Sequence, residues 1–293
     1  MTSRSRTPSI RSLLFTLSGS IVPVIWRRVL YTVLLSALVV WVDFHVLSLR
    51  VGLNAAPLTL MGLTLAIFLG FRNTVAYQRW WEARTLWGEL IITSRNLARQ
   101  RASLLPLTEA STTAALAHRL IAFAHALRHH LRGTDPAEDL TAWLPRAERD
   151  AVLAAPNAPS MLLTLTGMAF ADAGRAQQCE PIVLTAMDQE IGKLSHVLGG
   201  CERIKGTPIP YAYILLLHRT VHVYCFLLPF CLVGLMGWFT PVVVGVLAYT
   251  FFGLDALGDQ IEDPFDVMPN DLPLDAYCLT VERELATQAA AYP

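Results

Sequence analysis

Charge is scarce in this sequence. Only 16% of its 293 residues are charged and 54% are hydrophobic, whereas soluble domains carry about 25% charged and about 45–50% apolar residues. Basic and acidic residues number 23 each, so the chain has no net charge that would hold a nucleic acid. These deficits exclude a disordered chain or a collagen, argue against an ordinary soluble enzyme, and indicate a membrane protein.

Cysteine pairs and catalytic motifs are also missing. The five cysteines are scattered without a CxxC pair, which is typical of free thiols and not of a disulfide framework or a zinc site. The sequence has no phosphate-binding loop and no GxSxG motif. We therefore expect neither enzymatic activity nor a cofactor. Alternating strand patterns are absent too, so the predicted fold class is all-α.

Long runs without charge predict the membrane spans. Val51–Phe71 holds 21 uncharged residues, and Thr220–Leu254 holds 35 with glycines and prolines near its middle. A helix needs about 20 apolar residues to cross a bilayer. We predict four transmembrane helices, at about 29–49, 55–75, 209–236 and 240–258.

Arginine placement predicts the orientation. Residues 1–28 contain five arginines and no acid, whereas the first loop offers Arg50 alone and the second, 237–241, has no charge. Cytoplasmic segments of membrane proteins carry an excess of basic residues, so both termini are predicted to be cytoplasmic in a multi-pass protein of the cell membrane. A cleaved signal peptide is disfavoured, because Arg27, Arg28 and a longer apolar run follow directly.

The remaining sequence predicts a large helical cytoplasmic region. Helices are expected at 107–131, 137–154, 159–175 and 181–198, the last one ended by Gly199 and Gly200. The acidic tail has a proline-rich, non-helical middle. The predicted division is a cytoplasmic or interfacial segment 1–28, two spans in 29–75, the helical region 76–206, two spans in 207–258, and an acidic C-terminal strap 259–293.

Two stripes run along the second span. Gly62, Ala66 and Gly70 recur every fourth residue, a spacing that lets helix backbones pack closely. Leu63, Ile67 and Phe71 form a second stripe about 100° away. Large side chains in such a stripe belong to a core, face lipid or line a constriction, and the residues alone favour the first two.

Two groups of residues are weak metal candidates. His218 and His222 share one helix face, a spacing that can hold a metal, but no third ligand is evident. Asp263 and Asp266 belong to the acidic tail, whose carboxylates suit calcium. We favour a hydrogen-bonded histidine pair and salt bridges in the tail.

Four ordered blocks resemble bacterial bestrophins. They are FLGFRN at 68–73 with YQRWWEAR at 77–84, CERIKGTPIP at 201–210, DPF at 263–265 and NDLPLD at 270–275. The resemblance implies a homopentameric channel that conducts small monovalent ions, chloride or other anions, with cations such as sodium possible in a bacterial member.

The resemblance also implies roles for particular residues. Leu63, Ile67 and Phe71 would form an apolar pore neck, and Ile182, which follows Pro181, a cytoplasmic aperture. Calcium gating is doubtful, because Asp266 is followed by apolar residues and not by a run of acids. The expected partners are further copies of the chain, membrane lipid and the permeant ions. The alternative is a membrane-anchored scaffold or sensor whose cytoplasmic region binds a partner; a metal-dependent membrane enzyme ranks third.

Overall fold

The computed structural model describes residues 19–47, 55–104, 110–175 and 180–291, and the regular elements in these ranges are all helices. This confirms the predicted all-α class. The α-helices are α1 (Val22–Val42), α2 (Ala55–Leu104), α3 (Ala110–Arg132), α4 (Ala137–Thr141), α5 (Arg146–Ala154), α6 (Ala158–Arg175), α7 (Pro181–Gly206), α8 (Tyr211–Met236), α9 (Thr240–Glu262) and α10 (Leu274–Ala291). A π-helical turn, Asp43–Leu47, follows α1.

Three helical stretches are long and apolar enough to cross a membrane: Val22–His45, Ala55–Leu104 and Tyr211–Glu262. The third stretch comprises α8 and α9. A 3₁₀ turn at Gly237–Phe239 separates these two helices. Gly237 has φ of 53°, a left-handed conformation that favours glycine. The 23 residues of α9 extend about 35 Å, more than the thickness of a hydrocarbon core.

The chain divides into two compact units. The first contains residues 1–78, 209–262 and 268–270, and so includes α1, the N-terminal part of α2, α8 and α9. The α8–α9 hairpin contacts both other helices: Gly245 of α9 lies against Val33 of α1, and Gly62 of α2 lies against Tyr224 of α8. Ile25, Leu65 and Leu69 are among the buried apolar residues of this unit.

The second unit contains residues 79–208, 263–267 and 271–293. Its core forms around α3, which packs against α6 and α10. Trp87, Phe123 and Phe265 are almost completely buried there. The segment after α9 is non-helical up to Leu274, as its prolines predicted, and the backbone N–H of Leu272 donates to the carbonyl of Pro264 at 3.0 Å.

The predicted end of the helix that starts at Pro181 was wrong. Helix α7 continues through Gly199 and Gly200 to Gly206. Gly200 serves packing here and not helix termination, because a Cβ at this position would lie 2.8 Å from a methyl group of Leu86.

Candidate pore-lining helix and buried charge cluster

Helix α2 carries an exposed apolar stripe. The exposed fractions of Leu63, Ile67 and Phe71 are 60%, 49% and 63%. The residues of α2 that face the α8–α9 hairpin, among them Leu65 and Leu69, are buried. Since an α-helix turns about 100° per residue, the exposed stripe lies roughly opposite the buried face. The stripe is therefore not part of the core of this chain.

The small-residue stripe has two different environments. At Gly62 a Cβ would lie 2.6 Å from the hydroxyl oxygen of Tyr224, so only glycine fits without a shift. Ala66 and Gly70 are exposed, and no atom lies within 4 Å of a Cβ built at Gly70. Close packing within the described chain therefore occurs at Gly62, and packing at the other two positions stays a prediction.

A buried charge cluster follows the stripe on α2. The side chains of Arg72 and Asp255 are both fully buried, and Nη1 of Arg72 donates to Oδ1 of Asp255 at 3.0 Å. Nη2 of Arg72 also bonds to Asp259 and lies 3.5 Å from Glu262. Three carboxylates of α9 thus surround one guanidinium of α2.

His218 of α8 joins this cluster. Its Nδ1 lies 2.7 Å from Asp255 and its Nε2 lies 3.4 Å from Asp259. His218, Asp255 and Asp259 each offer an atom within 4.8 Å of the others, a spacing that suits a metal ion. Arg72, however, already binds both carboxylates. We therefore assign the cluster to ion pairing.

The predicted metal candidates do not converge. Nδ1 of His222 bonds to the carbonyl oxygen of His218 at 2.7 Å, one turn earlier in its own helix. Asp263 forms a salt bridge with Lys205 at 2.6 Å, and Asp266 accepts a hydrogen bond from the backbone N–H of Val267. The sequence interpretation missed Arg72, Asp255 and Asp259 as partners. The sequence signal for this cluster was Asp255, because a charge at the edge of an apolar run needs a partner.

Ile182 is 75% exposed in the first turn of α7, directly after Pro181. Its predicted role in a cytoplasmic aperture stays a prediction.

The second unit holds its own charged groups. Asp139 of α4 lies 2.8 Å from Nε2 of His129 and also bonds to Arg128. Burial raises the pKa of Asp139, but the His129 hydrogen bond and the charge of Arg128 outweigh it, so the net pKa is lowered. The described cysteines are free, and burial raises the pKa of both Cys201 and Cys278 to about 12. Such thiols are chemically inert at neutral pH. Cys179 lies outside the described residues.

The comparisons with known proteins identify the family. The model of the Bacterial/Fungal Bestrophin protein family matches residues 1–287. The chain belongs to the bestrophin family. A crystal structure of a bacterial bestrophin homologue from Klebsiella pneumoniae is similar to it, with a TM-score of 0.86 and 41% identity over 91% of this chain and 98% of that one.

Two curated relatives of this bestrophin carry a functional name. A voltage-dependent anion channel-forming protein of Mesorhizobium japonicum is 41% identical over 94% of this chain and 88% of its own length. One of Escherichia coli K12 is 40% identical over 93% of this chain and 89% of its own length. These names agree with the ion-channel function predicted from the sequence, and this family is not a known enzyme family.

Proposed function

We propose that this bestrophin is a homopentameric ion channel of the cell membrane. Chloride or other small monovalent anions pass through a central pore whose narrow neck is lined by α2. Helices α1, α8, α9 and the N-terminal part of α2 span the bilayer, and both termini lie in the cytoplasm. The exposed apolar stripe on α2 is the observation that carries this proposal.

Membrane crossing is supported by apolar side chains that are exposed on the helices of the first unit. On α9, for example, Val242 and Val246 are 63% and 61% exposed. Such a surface is costly in water and favourable in lipid. Aromatic residues lie at the helix ends, and the membrane–water interface favours such side chains. Trp26 contacts Arg27 near the start of α1. Phe44, just beyond the end of α1, stacks on Trp238 with 5.1 Å between ring centroids.

A neck is supported by the position of Leu63, Ile67 and Phe71. All three are largely exposed in a single chain, and they lie opposite the face that packs against α8 and α9. Fivefold symmetry would convert each residue into a ring, and successive apolar rings gate ion flow by excluding water. Exposed Ala66 and Gly70 would then contact a neighbouring subunit, and Ile182 would form the second constriction.

Anion selectivity depends on charged residues outside the neck. Apolar rings carry no charge and do not distinguish the sign of an ion. The names of the relatives and the arginine-rich residues after the second span favour anions, whereas the acidic strap would favour cations.

The test is single-channel recording from purified protein in planar bilayers. Replacing Leu63, Ile67 and Phe71 together with alanine should widen the neck and raise the conductance or open time severalfold, roughly, because the dewetting barrier falls. Reversal potentials in asymmetric KCl give the sign of the permeant ion in the same recordings, with anions expected.

The matched control shortens three exposed apolar residues of α9, Val242, Val246 and Tyr249, and should conduct like the unmodified channel. Equal behaviour of both triple variants would contradict the neck assignment. A protein without flux in any lipid would favour the scaffold hypothesis instead.

A further inference from the structure

An open groove of about 540 Å³ lies between α1 and α8, with Phe252 of α9 also lining it. Its walls are mainly apolar and face outward: Tyr31 is 68% exposed, Phe226 54% and Val223 50%. The lining also contains the positively charged Arg28 of α1 and the polar ring of His222 of α8. The groove thus combines an apolar surface with a cationic end group.

Arg28 lacks a counter-ion in the part of the chain that the structure describes. Its Nη1 is hidden from solvent, and no described group accepts a hydrogen bond from it. Arg28 as a whole is partly exposed, whereas the fully buried Arg72 of this unit has three carboxylate partners. A buried cationic donor without an acceptor is costly. An anion seated in the groove would remove that cost.

His222 supplies a second polar contact. Its Nδ1 lies 2.7 Å from the carbonyl oxygen of His218, and the ring contacts Phe252 with 5.1 Å between centroids. A carbonyl oxygen only accepts, so the proton of the neutral ring sits on Nδ1. Nε2 is then an acceptor that suits a hydroxyl donor on a ligand.

Arg28 and His222 lie near the last charged residues that precede the apolar runs of their helices. Arg28 is the last charged residue before the apolar run of α1, and Arg219 is the last before that of α8, three residues ahead of His222. This depth corresponds to the boundary between headgroups and hydrocarbon in the proposed topology.

The groove faces away from the proposed pore. Tyr224 of α8 contacts Gly62 of α2. His222 and Phe226 are two residues before and after Tyr224, which places both on roughly the opposite side of α8. A ligand in the groove would therefore meet lipid and not the ion pathway.

We propose that the groove binds an anionic phospholipid of the cytoplasmic leaflet. The phosphate bonds to Arg28, a headgroup hydroxyl donates to His222, and an acyl chain lies along Tyr31, Val223 and Phe226. A free inorganic anion would make no favourable contact with this apolar wall. The inference rests on the proposed membrane topology, but not on ion conduction.

The experiment measures lipid binding to the purified full-length protein by native mass spectrometry. Phosphatidylglycerol and phosphatidylcholine with identical chains are compared, and inorganic phosphate is added separately at equal ionic strength. We expect retention of phosphatidylglycerol alone. Arg28→Gln should weaken its apparent affinity about tenfold, in line with the loss of one charge-assisted bond, whereas Arg27→Gln, the matched control, should leave it unchanged.

A second variant tests the apolar wall of the groove separately from its polar groups. Phe226→Ala keeps both polar groups and should lower phosphatidylglycerol affinity by shortening the wall. Equal binding by Arg28→Gln and Arg27→Gln, or equal retention of both lipids, would overturn the proposal. Phosphate that displaces the lipid would instead identify a free-anion site. Ion flux is recorded for each variant. A variant that loses lipid binding but keeps its flux would support the groove as a lipid site separate from the ion pathway. Absent flux with intact lipid binding would contradict the channel proposal and leave the lipid proposal standing.

Discussion

At the scale of single residues, Arg72 and Asp255 form a buried ion pair in the first unit. Both side chains are completely removed from solvent. Breaking a buried pair by removing one partner costs about 3–5 kcal/mol, because the other charge stays buried without compensation. Exposed pairs contribute roughly 0–1 kcal/mol.

Arg72→Gln should therefore strongly destabilise the protein. We expect a loss of about 3–5 kcal/mol, visible as a lower midpoint of thermal unfolding followed by tryptophan fluorescence. Arg95→Gln is the matched control, since its pair with Glu284 is 48% and 36% exposed, and should lower the midpoint little. The double variant Arg72→Met with Asp255→Leu should recover part of the loss. Equal midpoints for the two single variants would contradict the role of burial.

The sequence could not predict this pair. Asp255 is recognisable as a charge at the edge of a span, and Arg72 as the end of a charge-free run. Their contact, however, joins positions 183 residues apart, and helix periodicity contains no information about contacts between distant helices. Leu63, Ile67 and Phe71, by contrast, are predictable as one stripe because their spacing alone places them on one face.

At the scale of elements, ion pairs join α10 to α3 in addition to their buried apolar contacts. Arg128 and Arg132 in the last turns of α3 lie 2.8 Å and 3.0 Å from the carboxylate of Asp275, which is in the first turn of α10. An acid near a helix N-terminus and cations near a C-terminus also complement the helix dipoles. Burial raises the pKa of Asp275, but the hydrogen bond and charge of Arg132 outweigh it, so the pKa is lowered.

The lowered pKa fixes the direction of a pH effect. A carboxylate with a depressed folded-state pKa stabilises the protein above its unfolded pKa of about 3.9, and this contribution disappears as the pH falls through the folded value. Asp275→Asn should therefore lower the unfolding midpoint at pH 7, and the difference from the unmodified protein should close below about pH 4.

Asp172→Asn is the control, because its exposed pair with Arg175 lies within one helix, and it should change the midpoint little at any pH. Trypsin cleavage at Arg283 should be faster in the Asp275 variant at pH 7, since α10 is less firmly attached. A difference between Asp275→Asn and the unmodified protein that persists unchanged at pH 3 would contradict the assignment.

Helix bounds show how far sequence reasoning extends. The helix expected at 159–175 lies within one residue of α6, Ala158–Arg175. The region 137–154 is instead two helices, with Pro145 between them. The error at Gly199 and Gly200 has the same origin as the missed pair: packing against Leu86 decides the role of Gly200, and the local sequence does not show Leu86.

At the scale of the whole molecule, basic and acidic residues form ion pairs inside each of the two units. Arg72 binds carboxylates of α9 in the first unit, whereas Lys205 binds Asp263 in the second. Exposed apolar surface remains on the outer face of α2 and along the walls of the groove at Arg28. The chain thus presents surfaces that match a second copy or lipid better than water.

Assembly provides the last test. Five copies of the 32.4 kDa chain should give a complex of about 162 kDa after correction for detergent, measured by light scattering. Gly70→Leu should weaken this assembly, because the side chain has open space within its own protomer but would fill the small surface on which neighbouring α2 helices are proposed to meet. Gly167→Leu is the control, since a Cβ at this α6 position also meets nothing within 4 Å. Both variants should unfold at similar temperatures, and only Gly70→Leu should lose mass. A pentamer that tolerates leucine at position 70 would place the subunit contact elsewhere on the helix.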